Sequence, residues 1–429
     1  MGNRVVGSVN ITDDRNDNLN NRIVLFINAC SVALVSNVNK TRRIIMGNRR
    51  TMAEITLVNQ CHIEHGVIDI LSDTLKQLDI KRPLICTDQG LVNIGIVDTI
   101  RSRIPNDVTV TIYDGTPENP TEPAVKDAVQ MYRENDCDGI LALGGGSSMD
   151  LSKGAALLLT HSEDLVEYNA ATGGGMKIGP VAPIIAIPTT SGTGSEVSRG
   201  AVIKTKDGRK LVFRSPHFVP KVALCDPELT LGLPPLLTAA TGMDAVTHLM
   251  EAVMSPVDNP PAEAIGLDGL WRAVGKGNLV STIDDPGNYE ARKQMMIAAT
   301  EGALAFTKGL GAVHAMSHAA GRIDHLNLHH GTLNAVCLPA CLRYNDDVLG
   351  EKRDRMKHFM GVAEDQSLDK AIEKLNARLG LPTNLSEMGI TNDMIPGMVE
   401  HALVDPTTIT NAKPVEAADF EALYEDAMG

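Results

Sequence analysis

GILALGGGSSMDLSKGAALL, residues 139–158, passes from an apolar strand-like segment through Gly144, Gly145, Gly146, Ser147 and Ser148 into a helical pattern without pause. A loop of this kind lets main-chain N–H groups and the start of a helix meet a pyrophosphate with no side chains in the way. It matches neither the G-x-G-x-x-G fingerprint nor a Walker A motif. Read alone, it is equally a tight strand–helix turn with no ligand.

Its neighbours on both sides repeat the alternation. PLICTD (83–88), VTVTIYD (108–114), GILALG (139–144) and APIIAIP (182–188) are strand-like, and 66–79, 91–103, 121–134 and 148–160 carry helical periodicity between them. Alternating strands and helices predict a doubly wound parallel sheet with ligands at the carboxyl ends of its strands. Another strand runs into IPTTSGTGSEVS (187–198), where Thr189, Thr190, Ser191, Thr193 and Ser195 interleave with Gly192 and Gly194. These small hydroxyl residues suit a phosphate or ribose, although a Ser/Gly-rich surface loop reads the same way. Two such loops on one sheet point to a dinucleotide. A further strand ends in Asp88, a residue that can accept bonds from the ribose hydroxyls and repel a 2′-phosphate, or simply cap a helix.

The pattern changes after Pro234-Pro235: long amphipathic stretches take over and β-rich runs vanish. Residues 52–233 are therefore expected as an α/β dinucleotide domain and 234–429 as an all-helical domain. In ATGMDAVTHLMEAV (240–253), Asp244 and His248 lie four apart, so one helix face presents both. In GAVHAMSHAAGRIDHLNLHHG (311–331), His314 and His318 repeat that spacing, and His325, His329 and His330 follow. A carboxylate with imidazoles and no thiolate suits Fe(II) or Zn(II), leaving room for substrate. Taken singly, each His reads as a core or surface residue.

The chain of 429 residues carries a formal charge of −14, which argues against a nucleic-acid partner, and 3% aromatics supply few platforms for base stacking. Seven widely spaced cysteines with no Cys-x-x-Cys pair read as reduced thiols in a cytoplasmic protein. Residues 1–51 read as a non-core extension, dispensable for catalysis, ahead of the domain-like start MAEITL at Met52. The apolar run 23–35 within it is shorter than the roughly 20 residues of a spanning helix, and an acidic, polar segment precedes it, unlike a signal peptide. No membrane association is expected.

With these residues in view, the chain from about 60 to 429 resembles the iron-containing (group III) alcohol dehydrogenases. GGGSSMDLSK, IPTTSGTGSEVS, DPELT..LP....AATGMDAVTH and HAMSH...HHGTLNAVCLP carry the resemblance, in this order. It implies an N-terminal dinucleotide domain, a C-terminal helical domain, and a metal with the substrate in the cleft between them. Asp244, His248, His314 and His330 would be the metal ligands, and His318 a proton relay beside the nicotinamide. Gly145, Gly146 and Ser147 would hold the pyrophosphate with Asp150 nearby. Thr189, Thr190, Thr193 and Lys210 would line the rest of the cofactor, and Asp88 favours NAD over NADP. The implied chemistry is hydride transfer between NAD(H) and an alcohol/aldehyde or hydroxy acid/oxo acid pair, with the metal as Lewis acid. The implied assembly is a homo-oligomer, a dimer.

One departure stands out. RIDHLNLH, between Gly321 and His330, is about two residues longer than in propanediol-type members, so their substrates are not carried over. The longer segment brings His325 and His329 toward the site. Arg322 could face a carboxylate or phosphonate, although a solvated Arg is the more common outcome. The alternative function is an NAD- and metal-dependent lyase of the dehydroquinate-synthase type.

Overall fold

The computed structural model describes residues 59–162 and 164–429. The expected extension 1–51, its apolar run and the start at Met52 lie outside them. Six parallel strands form one sheet: β1 (Gln60–Ile63), β2 (Pro83–Cys86), β3 (Thr111–Tyr113), β4 (Gly139–Gly144), β5 (Ile184–Pro188) and β8 (Val222–Cys225). The order across the sheet is β1-β8-β5-β4-β2-β3. Every residue of β2, β4, β5 and β8 is buried. Strands covered on both faces read as unbroken apolar runs, which is why the sequence shows β2, β4 and β5 clearly.

The chain turns outward from β2 to β3, then returns to the other side of β2 as β4 and continues to β5. The β2/β4 boundary is therefore the switch point, where the crevice for a ligand opens. Cys86 pairs with Ala142 and Gly144 with Pro188, so Asp88, the 144–148 loop and the 189–195 loop leave the sheet at one edge.

Three parts of this half differ from the sequence reading. Two strands were not expected: β1, whose QCHI alternates exposed and half-buried positions, and β8, the buried run VALC. An antiparallel hairpin, β6 (Gly200–Lys204) with β7 (Lys210–Arg214), forms a second, two-stranded sheet. The helix expected over 91–103 is two short ones, Gln89–Asn93 and Ile96–Arg101. The break falls at Gly95, whose φ of 80° is a left-handed geometry that favours glycine.

Among the described residues no strand follows Cys225, as the sequence predicts. The helix Pro235–Met254 is buried at every position from Thr238 to Met254. Around it pack Tyr289–Ala305, Ala312–Ala320 and His330–Leu349, in a core rich in Ala, Met and Leu. Gly331 sets the closest of these approaches: a Cβ there would lie 2.2 Å from the Ala240 carbonyl oxygen. Only glycine lets the His330 helix settle against the Asp244 helix, and that contact builds the site. No helix among the described residues is long and apolar enough to cross a membrane.

Candidate metal and dinucleotide site

The helix Pro235–Met254 delivers Asp244 and His248 one turn apart, and Ala312–Ala320 delivers His314 and His318 in the same way. The four groups are not placed alike. Asp244, His248 and His314 are buried and each offers a ligand atom, all within 4.8 Å of one another. Asp244 Oδ1 lies 3.7 Å from His248 Nε2, 3.9 Å from His314 Nε2 and 3.6 Å from His330 Nε2. A tetrahedron with bonds of about 2.1 Å has edges near 3.4 Å, so these spacings are those of a slightly opened coordination shell.

Two further observations fit a divalent cation. Among the described residues, Asp244 has no Lys or Arg partner, and its only ion pairs are with the three histidines. A buried carboxylate is rarely left without a compensating positive charge. The acceptors also share a single donor: Asn334 Nδ2 lies 2.8 Å from Asp244 Oδ1, 3.1 Å from His330 Nε2 and 3.3 Å from His314 Nε2. Lone pairs therefore converge on one point from three directions.

Two carboxylates that the sequence reading missed hold the imidazoles. Glu251 is fully buried; its Oε2 lies 2.6 Å from His314 Nδ1, and its Oε1 accepts from the Val313 amide at 2.8 Å. Burial pushes the Glu251 carboxyl up to about 7 and drives His314 well below the usual imidazole range. With the His314 proton on Nδ1, its Nε2 lone pair faces Asp244. Glu251 follows His248 by three residues and Asp244 by seven, so its helical face was legible, but its partners were not.

The second is Asp405, whose Oδ2 lies 2.8 Å from His318 Nδ1 while Oδ1 is held by the Thr407 amide at 2.9 Å and its hydroxyl at 2.6 Å. Burial works to raise this carboxyl, but the facing His318 and the Thr407 bonds outweigh it and hold it below the ordinary range. The His318 ring stacks on His330, with centroids 5.3 Å apart. His325 is exposed, whereas His329 caps its helix through Nδ1, 3.4 Å from the Thr332 amide.

The glycine loops meet as one cradle. The Thr189 amide donates to the Gly144 carbonyl at 3.0 Å. A Cβ on Gly146 would stand 2.7 Å from Thr193, and one on Gly145 would stand 3.3 Å from Thr190. The structure thus brings together Gly145, Gly146, Thr189, Thr190 and Thr193 at the start of the helix Gly146–Thr160. Asp88 caps Gln89–Asn93 by accepting from the Leu91 amide at 3.0 Å, leaving its second oxygen for another partner. The Ser147 hydroxyl donates to the Glu118 carbonyl, and Lys210 Nζ to Asn119 at 3.0 Å.

Asp150 is turned inward. Its oxygens accept from Ser195 Oγ at 2.9 Å and the Val202 amide at 2.8 Å. Beside it the buried Lys153 ammonium reaches Ser195, Ser198 and Gly200, with contacts between 2.7 and 3.3 Å. Burial pulls this amine down to about 8. Asp150 and Lys153 thus fasten the second loop to the first helix.

Known proteins share this fold and much of this sequence. The family model described as "iron-containing alcohol dehydrogenase" matches residues 59–227, and that of the family's C-terminal domain matches 238–428. The chain is 46% identical over 385 residues to 4-hydroxybutyrate dehydrogenase of Cupriavidus necator, covering 88% of this chain and 100% of that protein. It is 35% identical to 1,3-propanediol dehydrogenase of Citrobacter freundii, with 85% and 95% covered. A crystal structure of 1,3-propanediol oxidoreductase superposes with a TM-score of 0.81 at 32% identity, over 88% of this chain and 100% of that one. Sulfoacetaldehyde reductase of Bifidobacterium kashiwanohense, solved with NAD+, gives 0.79 at 26%, over 88% and 99%. These relatives are dehydrogenases and reductases, and the lyase alternative gains no support from them. The chain belongs to the iron-containing alcohol dehydrogenase family, metal-dependent enzymes that move hydride between NAD(H) and an alcohol–aldehyde pair.

Proposed function

We propose that Asp244, His248, His314 and His330 hold the metal, Fe(II) with Zn(II) as the alternative, and that His318 relays the substrate proton. The observation that supports this most is the set of three imidazole nitrogens at 3.6 to 3.9 Å from one buried carboxylate oxygen. When bound, the metal supplies Lewis acidity to the substrate oxygen and the nicotinamide supplies the hydride acceptor.

The remaining work belongs to the chain. Glu251 keeps the His314 proton on Nδ1, so Nε2 stays a donor of electrons. Asp405 does the same for His318, whose Nε2 then takes the hydroxyl proton during oxidation and returns it during reduction. The main chain of Gly145, Gly146 and Ser147 takes the pyrophosphate, while Thr189, Thr190, Thr193 and Lys210 line the cofactor beyond it. Asp150 serves this site by holding Ser195 and β6. The free oxygen of Asp88 selects the ribose hydroxyls, hence NAD over NADP.

The substrate is an alcohol/aldehyde or a hydroxy acid/oxo acid pair; similarity to a 4-hydroxybutyrate dehydrogenase supports the second. We further propose a division near residue 233 between dinucleotide and metal domains, a cytoplasmic location and a homodimer. The test follows absorbance of the reduced nicotinamide with a panel of alcohols and hydroxy acids, with metal content controlled. His248→Ala is expected to abolish turnover and lower metal occupancy. Full occupancy and activity in that variant overturn the ligand assignment.

A further inference from the structure

The segment RIDHLNLH (322–329) joins the two elements that carry His318 and His330. Its far part is tethered. Lys204 Nζ on β6 contacts both Asp324 oxygens at 2.8 and 2.7 Å, and Asn327 Nδ2 donates to Glu118 at 3.1 Å. Its first residue is not. Arg322 continues the four-residue rhythm of His314 and His318, and its amide donates to the Ala319 carbonyl at 3.2 Å, so the chain is still turning helically there. The residue is half-buried, yet among the described residues its guanidinium makes no hydrogen bond or ion pair.

Three acids of this region already have partners. Asp324 is matched by Lys204, Asp150 by Ser195 and Val202, and Asp405 by His318 and Thr407. On the cationic side, Lys210 is mostly removed from water, its amine rests on the Asn119 amide, and the Asp150 carboxylate and then the Arg322 charge act on it. Arg322 is thus a half-buried cation without a carboxylate partner among the described residues, four residues past the proposed proton relay. An Arg presents its donors in a planar fork that fits a carboxylate on two parallel bonds.

Resting on the dehydrogenase reading above, we propose that Arg322 receives the anionic end of the substrate, which makes the substrates short hydroxy acids and the corresponding oxo acids. The hydroxyl carbon then faces His318 and the carboxylate faces Arg322, one helical turn away. The same guanidinium chemistry would also suit a cofactor phosphate, and the experiment separates the two.

The full chain is assayed with NAD on the four-carbon pair 4-hydroxybutyrate and 1-butanol. Wild type is expected to favour the acid in kcat/KM. Arg322→Gln is expected to lose roughly 10- to 100-fold on the acid, mostly through KM, the value of a hydrogen-bonded charge. Its 1-butanol turnover and its NADH affinity, read by fluorescence, stay unchanged, and Arg322→Lys retains part of the preference. Butyrate is expected to inhibit wild-type 1-butanol oxidation competitively, an outcome that needs no variant to fold. A parallel loss on both substrates, a loss of NADH affinity, or the absence of butyrate inhibition overturns the proposal. Turnover of 1-butanol without preference for the acid leaves the dehydrogenase reading standing and this one refuted. No turnover of any alcohol or hydroxy acid refutes both.

Discussion

Glu251→Gln changes one atom of a fully buried side chain, and the geometry sets what that atom must do. Both carboxylate oxygens face N–H groups, Val313 N at 2.8 Å and His314 Nδ1 at 2.6 Å. A glutamine has only one oxygen. With that oxygen on His314, its NH2 opposes the Val313 amide, and an orphaned buried donor costs about 1–3 kcal/mol. With the oxygen on Val313, the NH2 faces His314 Nδ1. The imidazole must then move its proton to Nε2, removing the lone pair aimed at Asp244. Either arrangement loses a charge-assisted bond worth about 1.5–3 kcal/mol, and metal affinity is expected to fall roughly 10- to 100-fold. The metal-free fold is expected to suffer far less, because burial already raises this carboxyl to about 7 and a neutral amide escapes that penalty. The assay is competition with a chelator for bound Co(II) or Zn(II), beside thermal melting of the metal-free chain. Wild-type metal affinity in the variant would refute the reasoning, as would a loss of affinity matched by a loss of folded protein.

Two other substitutions separate the remaining roles. His318→Ala is expected to keep its metal and lose 10²- to 10⁴-fold in kcat, the usual span for a general acid–base group; metal loss, read by elemental analysis, would make His318 a ligand instead. Asp405→Asn is expected to act in the same direction with a smaller effect, because it alters only the group that orients the ring. Asp88→Gly is expected to narrow the preference for NAD over NADP in kcat/KM. Glycine also serves as a helix cap, so the Gln89–Asn93 turn loses little. A wild-type enzyme that works better with NADP would refute the role given to Asp88.

The sequence alone determined the parallel sheet, its two glycine loops and the helical half, because each rests on local patterns. Strands buried on both faces must be continuously apolar, as in GILALG, and a phosphate-ready turn must be glycine-rich whatever packs around it. The i, i+4 pairs Asp244/His248 and His314/His318 were equally legible, since one helix turn puts both members on one face. The hairpin β6–β7, the edge strand β1 and the inner strand β8 were not, because their pairing partners define them. Only the tertiary structure pairs the histidines with their carboxylates. His314 is held by Glu251, 63 residues away, and His318 by Asp405, 87 residues away, and neither carboxylate differs in sequence from any helical or turn acid. It also decided that Asp150 faces inward and that Gly331 admits the His330 helix to the Asp244 helix. Periodicity tells which face of an element is buried, but what that face meets depends on distant chain, and so the roles of buried charges emerge only in the folded protein.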